Sequence, residues 1–392
     1  MKMIIGNNLF LQLTAAVLGM SFLAVACGDS PCGQLDRMGR ELFPADEPGA
    51  AVVVLQGDSI VFERYYGLAS LDDRSPVTAS TRFNLASVSK QFTAVAVLQL
   101  VAAGLVDLDA PVAEYFPEYT HPLWKEVKIK HLLSHSSGIP DGRDYLSREA
   151  KIHGDEALAL EYLPGLDSLH FAPGSDYEYI NPTFVLLGRL IERISGQAYP
   201  DYMQDHVFGP AGMTRTYCFD PARPMPETAH AYEYPREDSG SEESGGWRTP
   251  GRHEWHEYDY GEETFFATRP DGGIYSTPRD FVRWEMALRK CVGEGGDAIL
   301  PQGLLEEAFT PHTKVSGSPW SDYQNRPGTW YGYGWFIEPD KGCIYHTGDN
   351  GGFKILAARY PSSQTLLLVF SARPDWDRYA VKTRFETLFN LP

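Results

Sequence analysis

The sequence predicts an α+β fold: an antiparallel sheet built from the N- and C-terminal parts of the chain, flanked by helices, with a mostly helical sub-domain inserted between them. Three observations carry this expectation. β-rich runs lie at both ends, over 50–67 and beyond residue 330. Helical patterns occupy the middle, most clearly at 88–103 and 181–196. The length of 392 residues exceeds the usual single core, so one large domain with sub-domains, or two domains, is expected.

At the N-terminus, Lys2 precedes a largely apolar run from Leu9 to Ala26, interrupted by Gln12, Thr14 and Ser21. Residues 1–26 therefore read as an export signal outside the fold. "SFLAVACGDS" sets Cys27 behind small residues, as in a bacterial lipoprotein signal whose cysteine becomes the lipidated first residue, although Ala24 stands where leucine is commonest. Acyl chains on Cys27 would tether the domain without spanning the membrane. A plain cleaved signal, a retained anchor and a buried N-terminal helix are the alternatives. Residues 27–40 read as a tether and first helix.

"AAVVVLQGDSIVFERYYG" is two strands about the Gly57-Asp58 turn. Residues 88–103 form a helix apolar on most sides, hence buried, stopped by Gly104. "DLDAPVAEYFPEY" is broken up by proline, and "IKHLLSHSSGIPDG" is a helical turn running into a loop. "NPTFVLLGRLIERISG" is an amphipathic helix closed by Gly196. Residues 235–263 are acidic and rich in Gly and Ser, then aromatic, and read as a long loop. A turn and helix follow in "GGIYSTPRDFVRWEMAL". Three β-rich runs come next ("WYGYGWFIE", "GCIYHTG" and "FKILAARYPSSQTLLLVFSAR"), and the chain ends in a helix from Ala380 to Phe389. Apart from Cys27 the cysteines are Cys32, Cys218, Cys291 and Cys343, an even number that permits disulfides, with Cys343 expected as a buried thiol in its strand.

A net charge of −18 argues against non-specific nucleic-acid binding. P-loop, HExxH and Cys-x-x-Cys patterns are missing, so phosphate chemistry and common zinc chemistry have no support, and neither metal nor cofactor is expected. Three motifs carry chemistry instead. Ser87-Val88-Ser89-Lys90 stands at the mouth of the buried helix. At spacing i, i+3 the hydroxyl and amine share a face. A serine needs such a base to become a nucleophile, and the helix start offers N–H groups to an oxyanion. The plainer alternative is a capping serine beside a snorkelling lysine. Tyr179-x-Asn181 lies just before a helix and offers a phenol for proton relay and an amide for a substrate carbonyl. Tyr323-x-Asn325 also fits that pattern but sits in a polar loop. His346-Thr347-Gly348 comes off a strand, with a glycine that permits close backbone approach.

In this order the three motifs, with "IKHLLSHSSGIPD", "FAPGSDYEYINPTFVLLGRLIERISG", "VFGPAGMTRT", "GGIYSTPRDF" and "YGYGW", resemble the serine β-lactamase and penicillin-binding-protein superfamily over about residues 40–390. The likeness is greatest to class C β-lactamase-like hydrolases, which include esterases, D-aminopeptidases and carboxypeptidases. The resemblance implies a β-lactamase/transpeptidase-like fold over 41–390, with the helical sub-domain at roughly 100–270. Ser87 would be acylated. Lys90 and Tyr179 would share proton transfer, and Asn181 would orient the substrate. The backbone N–H groups of Ser87 and Asp349 would hold the oxyanion beside His346, Thr347 and Gly348. Penicillin-hydrolysing relatives carry lysine where this chain has His346, which is mostly neutral at pH 7 if unperturbed. Lys354 and Arg359 are read as strand-edge or surface charges. The expected protein is thus an exported, lipid-anchored serine hydrolase of the bacterial cell envelope, cleaving an ester, amide or peptide. An acyltransferase, a true β-lactamase and a slow penicillin- or peptidoglycan-binding sensor are the alternatives.

The anchor is checked by metabolic labelling with a fatty-acid analogue. Wild-type protein should take up the label and Cys27→Ser should not. A wild type released without lipid would defeat the lipoprotein reading.

Overall fold

The computed structural model describes residues 30–147, 154–220, 222, 226–233, 255–257, 268–292, 299–321, 323 and 326–392. Cys27, Asn325 and most of the 235–263 segment lie outside the described residues. The first helix, α1 (Pro31–Leu42), is capped by the Ser30 hydroxyl, which accepts from the Gly33 N–H. It leads into β1 (Ala50–Gln56) and β2 (Ser59–Tyr66), with Gly57 in the turn at φ +53°. After the short β3 (Phe83–Asn84) comes α2 (Lys90–Ala102), and later α3 (Asn181–Ser195), which ends on left-handed Gly196 as its sequence requires.

Three short strands precede the next long helix: β4 (Tyr217–Cys218), β5 (Tyr232–Glu233) and β6 (His256–Glu257). Strand β7 (Ile274–Ser276) joins β3 and β4 in a three-stranded sheet that the sequence does not announce, because strands of two or three residues have no period to read. Helix α4 (Pro278–Val292) follows. The last strands are β8 (Thr313–Lys314), β9 (Trp330–Tyr331), β10 (Phe336–Glu338), β11 (Cys343–Asn350), β12 (Phe353–Tyr360) and β13 (Thr365–Ser371), and the chain closes with α5 (Arg378–Leu388).

The main sheet has eight strands in the order β2-β1-β13-β12-β11-β10-β9-β8, every pair antiparallel. It is thus built from the two ends of the chain, as expected, with helices covering both faces. The period-2 alternation of side chains divides the core. Ala51, Val53, Leu55, Ile355, Ala357 and Leu368 join Phe92, Val95, Phe281 and Trp284 in the larger cluster. Ala50, Val52, Val54, Leu356, Ala358 and Leu367 join Leu35, Val381 and Phe385 in the other. Helix α2 is buried on nearly every side and packs along α3. Among the described residues no helix is long and apolar enough to cross a membrane.

The four cysteines from Cys32 onward are free thiols, and Cys343 is buried in β11 as expected. Arg359 departs from its reading as a surface charge. Only 6% of it is exposed: its guanidinium lies over the Phe309 ring, 4.5 Å from the centroid, and 3.1 Å from the carboxylate of Glu285 on α4, which also accepts from Arg289 at 2.7 Å. Burial without that partner would strand a charge in the core. Glu285→Ala should therefore cost about 3–5 kcal/mol. Urea unfolding measures the loss, and a change below about 1 kcal/mol would contradict this account of Arg359.

Candidate active site

Strand β3 runs directly into a constrained turn. Ala86 takes a left-handed φ of +47°, unusual for a residue with a Cβ, and its N–H donates to the buried Asn84 side-chain oxygen at 2.6 Å. A 3-10 turn over Ala86–Ser89 follows, and the α-helix proper begins only at Lys90. This differs from the expected α-helical start and has a geometric consequence. In a 3-10 turn residues i and i+3 eclipse, so Lys90 stands over Ser87. Ser87 is half-buried, whereas Ala86, Val88, Ser89 and Lys90 are buried.

Lys90 is wholly buried, with Nζ 3.0 Å from Ser87 Oγ, 2.7 Å from Asn181 Oδ1 and 2.9 Å from the Asp271 carbonyl oxygen. Burial pushes the amine down to about 7, with Arg143 acting the same way and Asp271 and Asp141 opposing. A neutral amine has two protons and one lone pair. The Asn181 and Asp271 oxygens can only accept, so they take both protons. The lone pair is left for the one partner able to donate, the Ser87 hydroxyl.

The Tyr179-x-Asn181 pair meets this lysine. The Tyr179 ring centre lies 4.8 Å from Lys90 Nζ, and the ring is held against His135 (centroids 4.2 Å apart) and stacked on Phe336. Tyr323 adjoins the third motif instead, accepting from the Tyr379 hydroxyl at 2.6 Å and lying 3.2 Å from Thr347 Oγ1.

Strand β11 brings the third motif beside the turn. A Cβ on Gly348 would lie 2.4 Å from the Leu85 carbonyl oxygen and 2.9 Å from the Ala86 Cβ. The close backbone approach that the glycine permits is thus made by the turn that carries Ser87. Beyond Tyr345, β11 pairs with β12 on one side but β10 has ended on the other, which leaves the Thr347–Asp349 stretch without a partner strand on that side among the described residues. His346 is 1% exposed with both ring nitrogens engaged: the Tyr331 hydroxyl lies 2.9 Å from Nε2, and Nδ1 lies 2.7 Å from the Thr347 carbonyl oxygen. A carbonyl only accepts, so Nδ1 carries the proton and Nε2 accepts from Tyr331. Burial and the Lys90 charge push the ring down to about 3. Asp349 is exposed and ion-paired to the buried Arg378 guanidinium.

Three further residues complete the site and were not singled out from the sequence. His135, at φ +53° and fully buried, accepts from the Ile180 N–H at 3.2 Å and backs the Tyr179 ring. Tyr331 supports His346. Asp271 supplies a carbonyl to Lys90. His135 and Tyr331 do lie within quoted stretches, "HLLSHSSG" and "WYGYGW", but their polarity alone did not distinguish them from packing residues.

A family model described as Beta-lactamase matches residues 40–389. A penicillin-binding protein of Bacillus subtilis (strain 168) is 27% identical over 87% of this chain and 72% of its own length. A D-aminopeptidase of Gluconobacter oxydans (strain 621H) is 29% identical over 71% of this chain and 47% of its own length, so the chain spans about half of that relative. Among solved structures, a penicillin-binding protein from Bacillus halodurans superposes with TM-score 0.72 at 26% identity, over 90% of this chain and 98% of that one. A D-amino acid amidase from Ochrobactrum anthropi has the same fold, at TM-score 0.71 and 23% identity, over 92% of this chain and 98% of that one.

Gly348→Ala should force strand and turn apart. Overpacking of this kind costs about 1–3 kcal/mol. The melting temperature should fall, and the backbone amides of Ala86–Ser89 should exchange hydrogen faster. A variant as stable and as protected as wild type would mean that β11 does not press on the turn.

Proposed function

The chain belongs to the Beta-lactamase family, and on that premise we propose that it is a serine hydrolase that cleaves an amide, peptide or ester through an acyl-Ser87 intermediate. One observation carries the reading. The buried Lys90 amine gives its protons to two obligate acceptors and turns its lone pair to the Ser87 hydroxyl.

The chemistry follows from that arrangement. The Ser87 O–H bond breaks, its proton passes to Lys90 Nζ, and Oγ forms a bond to the substrate carbonyl carbon. The carbonyl becomes an oxyanion, which the backbone N–H groups of Ser87 and Asp349 stabilise. When the tetrahedral species collapses, the bond to the leaving amine or alcohol breaks. That group takes the proton from Lys90 by way of the Tyr179 phenol. Water repeats the steps on the acyl-enzyme, and Ser87 regains its proton. Asn181 steadies Lys90 through its carbonyl while its N–H₂ group is available to a substrate carbonyl.

Substrate choice follows from charge. A neutral His346 supplies no fixed positive charge. Arg378 is already paired with Asp349, Lys354 donates to the Pro374 carbonyl at 2.7 Å, and Arg359 is paired with Glu285 on α4. Neutral amides and esters are therefore favoured over penicillins, whose carboxylate needs a cation. D-Amino-acid amides are the first class to examine, given relatives named D-aminopeptidase. Export and a lipid anchor at Cys27 complete the proposal and place the enzyme in the cell envelope.

A fluorophosphonate probe should label Ser87, and Ser87→Ala should abolish labelling. The reaction requires neutral Lys90, so the rate should rise with pH through about 7 and level off above it. Lys90→Ala should slow labelling by about 10²- to 10⁴-fold. Labelling of another serine, or a rate that rises toward acid pH, would refute the assignment.

A further inference from the structure

Next to Lys90 lies an acidic residue, Asp271, whose backbone carbonyl accepts from Nζ at 2.9 Å. Asp271 is 5% exposed, and its carboxylate has one oxygen, Oδ1, with no hydrogen-bond partner. A buried carboxylate with an unused oxygen is costly in a core, where such groups are normally fully bonded. It is also held firmly. Thr93 Oγ1 donates to the Pro270 carbonyl at 2.5 Å, Lys90 donates to the Asp271 carbonyl, and the Ile274 N–H donates to Ser89 Oγ at 3.2 Å. The Leu85 N–H donates to the Ile274 carbonyl at 2.8 Å. The segment carrying Asp271 is thus clamped to the turn and helix that carry the Ser87–Lys90 pair. Any residue at 271 would present the same carbonyl, so the carboxylate needs a separate reason.

We propose that Asp271 is a positioning residue whose buried carboxylate is the counter-charge that sets how readily Lys90 releases its proton. This rests on the reading of Lys90 as the base that serves Ser87. Burial alone drives Lys90 toward neutrality, and an amine that is too weak a base takes the Ser87 proton poorly. A fixed negative charge nearby raises the amine's affinity for that proton and stabilises the ammonium formed as Oγ attacks. In this role Asp271 acts in its ionised form, which burial disfavours and the Lys90 and Arg143 charges favour.

The other groups around Lys90 have defined parts. Arg143 and Asp141 lie on the loop beyond Pro140 and pair with each other, Nη2 to Oδ2 at 2.7 Å. Arg143 opposes the ammonium and Asp141 favours it. His135 and His346 are both held neutral by burial and by the Lys90 charge, and the Tyr179 ring lies against the amine. Asp271 and Arg143 therefore act on Lys90 with opposite sign. Burial raises the Asp271 carboxyl, and the Lys90 and Arg143 charges counter that rise.

The test is the pH dependence of fluorophosphonate labelling, with the modified serine mapped by mass spectrometry and folding checked by thermal melting. Asp271→Asn removes the negative charge and keeps the shape and the carbonyl. The Lys90 pKa should fall, so the acid limb of the rate profile should move to lower pH by about one unit or more. Arg143→Gln should move the limb to higher pH. Loss of a merely structural group would lower the rate and leave the limb in place. A folded Asp271→Asn enzyme labelled at Ser87 with an unmoved limb overturns the proposal, as does a limb that moves to higher pH. If Asp271→Asn does not fold, Asp271→Ser, which also removes the charge, decides, and an unmoved limb there counts equally against the proposal. Failure of wild-type protein to label at Ser87 removes the underlying functional reading, and the role of Asp271 with it.

Discussion

The site depends on one amine that is denied water. Lys90 has no exposed surface, and its hydrogen-bond partners are a hydroxyl and two amide oxygens. Removing an ammonium from water penalises its charged form, which brings neutrality within reach near pH 7. The two oxygens then orient the neutral amine by valence alone. A solvent-exposed lysine at the same spacing would remain charged and would rotate freely, so the Ser-x-x-Lys pattern acquires chemical meaning only through burial. The surrounding elements can be understood as the means of keeping this amine dry and aimed.

The framework does so by close approach. Helix α2 is nearly all apolar, so it occupies the centre of the molecule and carries Lys90 inward with it. The 3-10 turn before it brings Ser87 back toward the surface while leaving the hydroxyl beneath the amine. Strand β11 closes over the turn where Gly348 has no Cβ, and Asn181, the first residue of α3, reaches Lys90 from the other side. His346 is part of this packing. Its two nitrogens bond to Tyr331 and to its own strand, and Tyr331 lies against His135, which in turn backs Tyr179. A chain of rings thus connects the third motif to the second without any of them carrying charge.

Much of this could be read from residues. The Gly57 hairpin, the buried helix stopped at Gly104 and the helix closed by Gly196 follow from local pattern, and the sheet from strands at both ends. The sequence reading that set Tyr179 before Tyr323, because a helix follows one and a polar loop holds the other, agrees with the Tyr179 ring lying at Lys90. What escaped was long-range. The burial of His346 depends on where Tyr331 falls across the sheet, and the Arg359–Glu285 pair depends on how α4 packs on the sheet. Asp271 serves Lys90 through a backbone carbonyl that every residue possesses, so its identity gave no sign. Strands of two and three residues lack a period altogether, which is why the β3-β7-β4 sheet beneath the turn was invisible.

The proposed chemistry requires Lys90 to be neutral near physiological pH in the folded enzyme. Protein labelled with ¹³C at lysine Cε and titrated by NMR measures this directly, with Lys90→Arg identifying the resonance. One lysine should titrate near pH 7 and be missing from the variant. A Lys90 resonance that titrates with the exposed lysines, at about 10.4, would contradict it.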